Sequence, residues 1–228
     1  MKVAVLFSGG KDSCFSIYQA QKQEHEIACL VSILPENKES YMFHYPNIKL
    51  TELQAKAMGF IYVSMISPGK KEEELNELYN ILSIVKNKYK VEGIVSGAIQ
   101  STYQKNRVDD VCRKLDLKSI APLWNINHED YMQELILRKF KAIIVGIAAD
   151  GLNESWLGKE INRNTLTELR NLNLGTKMHL AGEGGEYESL VLDAPMFKKQ
   201  IIIKSSKTNM ENSCTGALEI TKVELRDK

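Results

Sequence analysis

Near the N-terminus a strand, a glycine loop and a helix follow one another without a break, and few folds accept that junction. The apolar run Val3-Ala-Val-Leu-Phe7 passes into Ser8-Gly9-Gly10-Lys11-Asp12-Ser13 and then into a segment with helical spacing. Such a loop points the N–H groups of the helix start at an anion, and paired glycines let the backbone approach it closely. Ser8 and Ser13 add hydroxyl donors, and Lys11 adds positive charge. The segment is not a Walker A loop, because Asp12 follows Lys11 and the G-x-x-x-x-G-K-[ST] spacing is missing. The plainer alternative is an ordinary strand-to-helix turn capped by Asp12 or Ser13.

Downstream the same alternation continues. Strands are expected over residues 2–7, 27–34, 61–65, 91–97 and 119–121, and helices over 12–23, 50–59, 70–90 and 102–117. In the third helix Leu75, Leu78, Leu82 and Val85 form one apolar stripe, and Glu72, Glu73 and Glu74 suit its first turn. The pattern predicts an α/β fold: an open parallel sheet with helices on both faces. After Pro122-Leu-Trp-Asn-Ile-Asn the rhythm changes to a helix over 128–140, a strand over 141–149, a loop over 151–158 and a helix over 160–174. Short β segments follow from Met178, including 200–204 and 217–225. Two domains are expected, 1–123 and a smaller α+β domain over 124–228.

Composition excludes several classes. Lys and Arg number 30 against 29 Asp and Glu, a net charge of +1, so no global field favours nucleic acid or an anionic membrane. The longest apolar run, residues 142–149, falls far short of the roughly 18 residues of a spanning helix, and the start of the chain lacks a secretory signal pattern. A cytoplasmic location is expected, with neither membrane nor nucleic acid as partner. Cys14, Cys29, Cys112 and Cys214 show no Cys-x-x-Cys spacing and read as small buried thiols.

Two further segments carry chemistry. Gly97-Ala-Ile-Gln-Ser101-Thr-Tyr103-Gln104-Lys-Asn-Arg107 leaves the fourth strand and opens a helix, and ligands bind at the carboxyl ends of strands in open α/β sheets. Ser101 suits the cap, while Tyr103 and Arg107 share a face; the alternative is an amphipathic helix start with an exposed arginine. Gly182-Glu183-Gly184-Gly185-Glu186-Tyr187-Glu188-Ser189 sets three carboxylates on a glycine-opened loop. That composition suits a cation or a polar substrate, or equally a solvated hairpin turn.

Ser8 to Ser13 resembles the pyrophosphate loop of the N-type ATP pyrophosphatases, which have an adenine-nucleotide α-hydrolase-like fold and split ATP into AMP and pyrophosphate. The resemblance makes Ser8, Gly9, Gly10, Lys11, Asp12 and Ser13 ATP contacts, with Lys11 and Asp12 catalytic and Asp12 a Mg²⁺ ligand. It extends ATP binding to Gly97, Ser101, Tyr103 and Gln104. With Gly151-Leu-x-x-x-Trp-Leu-Gly158 and the acidic segment followed by Asp193-x-Pro, the chain is similar to the diphthine–ammonia ligase family. Ser189 stands where threonine is more often expected.

That resemblance implies ATP-dependent amidation of diphthine on translation elongation factor 2, with ATP and Mg²⁺ as cofactors and ammonia as the nitrogen source. Glu183, Gly184, Gly185, Glu186, Tyr187, Glu188 and Asp193 become substrate-binding. Diphthine carries a trimethylammonium group, so Glu183, Glu186, Glu188 and Tyr187 form an expected cation-recognising wall. Trp124 or Trp156 is either part of that wall or core. Free ammonia is favoured because no cysteine lies near residue 1 and Cys14 sits within the first helix. Amidation of a small carboxylic acid and a non-enzymatic ATP or AMP sensor are the alternatives, and self-association is left open. A tRNA thiolase would need paired cysteines and a basic face. Residues 35–46, with Tyr41, Met42, Phe43, His44 and Tyr45, are a candidate lid or docking segment.

Overall fold

The structure, a computed structural model, describes residues 1–35, 47–67 and 74–228. The candidate docking aromatics at 41–45, and Glu72 and Glu73, lie outside them. The described chain divides into two compact units.

The first unit comprises Met1–Ser8 and Asp12–Trp124. Among the described residues its sheet has five strands: β1 (Lys2–Leu6), β2 (Glu26–Pro35), β3 (Tyr62–Ser67), β4 (Gly93–Val95) and β5 (Lys118–Ile120). They run parallel in the order β3-β2-β1-β4-β5. Val3, Ala4 and Val5 of the central strand are fully buried, so β1 reads as a continuous apolar run instead of an alternating one. Helices α1 (Lys11–Lys22), α2 (Thr51–Met58), α3 (Glu74–Tyr89) and α4 (Thr102–Lys114) follow the first four strands in turn. Leu78, Ile81, Leu82 and Val85 of α3 join Val108, Val111 and Cys112 of α4 over Ala4, Val31, Ile33 and Ile94. This is the α/β fold that the alternation predicts.

Strand order reverses at β1: β2 and β3 lie to one side, β4 and β5 to the other. The crevice at such a switch point is where open α/β sheets bind ligands. The loop after β1 and the segment after β4 both end there. α4 stops short of the expected residue 117, because Asp116 takes a left-handed φ of 49° and the Lys86 amine donates to the Leu115 carbonyl at 2.5 Å.

The second unit comprises Gly9–Lys11 and Asn125–Lys228. Helix α5 (His128–Leu137) leads into β6 (Lys141–Ala148), followed by α6 (Arg163–Thr176), β7 (Tyr187–Asp193), β8 (Lys199–Met210) and β9 (Thr215–Asp227). The four strands described pair antiparallel in the order β7-β6-β9-β8, with β6 buried along most of its length. α6 begins three residues later than its apolar spacing suggests. Asn162 caps it, accepting from the N–H groups of Asn164 at 3.0 Å and Thr165 at 3.1 Å, while Glu160 bridges to Ile143 of β6. β8 and β9 far outrun their expected lengths and form one long ribbon. Among the described residues no helix is long and apolar enough to cross a membrane.

Candidate active site

The glycine loop closes onto the first turn of α1. Ser13 Oγ accepts from the Ser8 N–H at 3.3 Å and lies 3.2 Å from Ser8 Oγ, and Gly9 adopts the left-handed φ of 80° that the reversal requires. Since α1 starts at Lys11, Asp12 and Ser13 sit within its first turn and do not cap it. Gly97 explains how closely the two switch-point segments approach. A Cβ there would meet Ser13 N at 2.9 Å and the Asp12 carbonyl carbon at 3.0 Å. Beyond it Ser101 caps α4, accepting from the Gln104 N–H at 3.3 Å. The Arg107 guanidinium stacks 3.6 Å from the centre of the Tyr103 ring, and its buried Nε has no hydrogen-bond partner among the described residues.

Within the second unit the tip of the glycine loop is bonded to β7. The Gly9 carbonyl accepts from the Val191 N–H at 3.0 Å, and the Lys11 N–H donates to Ser189 Oγ at 3.1 Å. A threonine at 189 would supply the same hydroxyl. The Lys11 side chain is 2% exposed, and its amine lies 5.3 Å from the centre of the Tyr187 ring.

The acidic segment is only half a loop. Tyr187, Glu188, Ser189 and Asp193 belong to β7, which turns the preceding residues into a tight reversal. Gly182 takes a φ of 69°, and a Cβ on it would lie 2.8 Å from the Tyr187 carbonyl. Glu186 is committed to this turn: one carboxylate oxygen accepts from the His179 N–H at 2.7 Å, the other from the Gly184 N–H at 2.8 Å. Asp193 pairs with Lys228 at 2.6 Å and accepts from the Ala194 N–H at 2.8 Å. Glu186 and Asp193, expected to bind substrate, thus each hold neighbouring backbone, and Asp193 also holds the Lys228 amine. Glu183 and Glu188 are half-buried.

Two histidines were absent from the sequence reading. His179 Nδ1 accepts from the N–H groups of Ala181 at 3.2 Å and Glu183 at 3.3 Å, and its Nε2 lies 3.1 Å from Nε2 of His128. Neither residue sits in a spacing that marks a ligand or a triad, so no sequence signal singles them out.

Trp156 is core, whereas Trp124 is half-buried. Trp156 is 6% exposed with the Lys159 amine 4.5 Å from its ring centre, and Trp124 carries the Lys105 amine at 5.3 Å. Burial pushes the Cys29 thiol up to about 11 and the Cys112 thiol up to about 12; Cys14 is raised too, by burial first and the Asp12 charge second. All four cysteines are unbridged. Among the described residues no cluster of three or more His, Cys, Asp or Glu is arranged to hold a metal.

Family models agree with these features along the chain. Residues 1–119 match the diphthamide synthase N-terminal domain, and residues 127–225 match the diphthamide synthase C-terminal domain. The mouse protein named diphthine–ammonia ligase is 36% identical, covering 100% of this chain and 94% of its own length. Its human namesake is 36% identical over 100% and 94%, and the bovine one 40% identical over 91% and 84%. With the glycine loop in the first matched domain and the acidic turn in the second, the chain belongs to the diphthamide synthase family.

Proposed function

We propose that this protein is a diphthine–ammonia ligase, which uses ATP to amidate diphthine on translation elongation factor 2 and yields diphthamide, AMP and pyrophosphate. Family membership supports the reaction class. The observation that carries the site is the bonding of Gly9 and Lys11 to Val191 and Ser189, which ties a phosphate-binding loop to the strand that follows the acidic turn. Residues 1–123 then serve ATP, and residues 124–228 serve the acceptor.

In this reading the diphthine carboxylate attacks the α-phosphorus of ATP, expelling pyrophosphate and forming an acyl-adenylate. Ammonia adds to the acyl carbon, AMP leaves, and one of the three ammonia hydrogens departs as a proton. Alignment and charge stabilisation supply most of the acceleration, since no protein nucleophile is needed. The backbone of Ser8, Gly9 and Gly10 and the hydroxyl of Ser13 cradle the pyrophosphate, and the first-turn N–H groups of α1 add their partial positive charge. Lys11 adds a buried positive charge to the loop, its amine 5.3 Å from the centre of the Tyr187 ring. Gly97, Ser101, Tyr103 and Gln104 border the nucleotide from the other side of the switch point.

Asp12, half-buried in the first turn, fits Mg²⁺ together with substrate phosphates and water, since one carboxylate alone makes too small a ligand set. Bound there, Mg²⁺ would neutralise charge on the phosphates. Glu183 and Glu188 recognise the trimethylammonium group, while Tyr187, buried under the Lys11 amine, supports the turn from beneath. Ammonia is the donor in this reading, and burial makes the Cys14, Cys29 and Cys112 thiols poor nucleophiles for releasing it from glutamine. The reaction belongs in the cytoplasm, where its acceptor works.

The deciding assay supplies Mg-ATP and ammonium with and without diphthine-bearing elongation factor 2. Expected are AMP and pyrophosphate release dependent on the factor, and a fall of about one mass unit in the factor as –OH becomes –NH₂. ATP binding with neither product sinks the proposal.

A further inference from the structure

The turn that carries Glu183 is shaped by a histidine that touches no expected ligand. His179 Nδ1 accepts two backbone N–H groups, from Ala181 and Glu183, so that nitrogen keeps its lone pair. Nε2 of His179 lies 3.1 Å from Nε2 of His128, and the two rings pack at a tilt of 54° with their centres 3.8 Å apart. His128 is the first residue of α5, an anchored position, because Asn127 caps that helix through the Asp130 N–H at 3.0 Å. The His128 ring therefore packs against that of His179, and α5 anchors it there.

Glu186 holds the outer arm of the same turn through His179 N–H and Gly184 N–H. Nδ1 of His179 holds the inner arm, where Glu183 begins. Loss of that acceptor would strand two N–H groups in a half-buried turn and release the backbone from which the Glu183 carboxylate projects.

We infer that His179, oriented by His128, is the positioning residue that sets the acidic turn for the cationic group of the acceptor. The inference rests on the reading of Glu183 and Glu188 as recognising the diphthine trimethylammonium group. It assigns neither histidine a contact with substrate.

The test uses the full chain and two substitutions that split the imidazole's functions. Asparagine at 179 keeps an acceptor near the Nδ1 position, whereas glutamine places its amide near Nε2 and removes that acceptor from the Ala181 and Glu183 N–H groups. Two readouts are needed: amide hydrogen exchange at Ala181 and Glu183, and steady-state kinetics with diphthine-bearing factor. His179→Gln should speed exchange and raise KM for the factor about tenfold, with KM for ATP unchanged and kcat within about twofold. His179→Asn should restore both readouts to within about threefold of the parent.

Exchange unchanged in His179→Gln overturns the inference, whatever the kinetics do. Faster exchange with an unaltered factor KM also overturns it. Glu183→Gln and Glu188→Gln, measured beside it, separate the two failures. If they raise the factor KM, the acidic turn binds the acceptor and only the positioning role has failed. If they do not, the reading of the acidic turn has failed as well.

Discussion

Gly97 and Gly184 are both too crowded to carry a Cβ, and the crowding has different sources. At Gly97 the obstacles are backbone atoms of Ser13 and Asp12, distant in sequence and fixed in the first turn of α1. At Gly184 the obstacle is the carboxylate of Glu186, 2.8 Å away and two residues along the same turn. Backbone held in a helix cannot swing aside, whereas the end of a glutamate side chain can. The nucleotide side is thus walled by main chain at Gly97 and tolerates little there, while the acidic turn is walled by a side chain at Gly184 and can adjust at that position.

The largest expected effect tests the rigid half. Gly97→Ala forces the segment after β4 away from Asp12 and Ser13, and a shift of that order costs about a hundredfold in kcat/KM for ATP. Initial rates of pyrophosphate release measure it, and an effect below threefold breaks the comparison. Gly184→Ala should be far milder. Glu186 gives up the Gly184 N–H but keeps that of His179, a loss of about 1 kcal/mol or less by denaturant unfolding. A larger loss would mean the acidic turn is as unyielding as the first.

The smallest expected effect isolates stability from the loop. Asp109 of α4 accepts from Lys105 at 2.5 Å and Ser119 at 2.6 Å. Burial pushes its carboxyl up, but those two hydrogen bonds and the charges of Lys105 and Arg113 outweigh this and hold it below the usual carboxylate range. A lowered folded value means its contribution is complete above the unfolded value, near about 3.9, and is lost as pH falls through the folded one. Asp109→Asn should therefore lower stability by about 1 kcal/mol at pH 7, converge with the parent in strong acid, and leave the ATP kinetics unaltered. Slower pyrophosphate release at pH 7 would tie this anchor of α4 to the Gly97 turn.

Legibility followed the same division. The parallel sheet could be read because β1 is buried on both faces and so is apolar throughout, and the glycine loop because its chemistry is carried by consecutive residues. The acidic turn was legible as composition but not as roles. Nothing in the spacing of Glu183, Glu186, Glu188 and Asp193 says that Glu186 serves its own backbone or that Asp193 meets Lys228, 35 positions on. His128 and His179 meet only through the fold. Helix ends slipped where a single side chain decided them, as with Asn162 at the start of α6.

The ribbon of β8 and β9 has a consequence for how the protein behaves at high concentration. β8 is an edge strand of twelve residues, long enough to template the addition of a foreign strand. Lys199, Lys204 and Lys207 punctuate it, and the first two reach across to Asp227 and Glu224 on β9. Those ammonium groups make the edge a poor docking rail, since an incoming strand would have to strip water from them. Acetylation along the ribbon would remove that barrier without touching the fold, and colloidal stability would suffer before catalysis did.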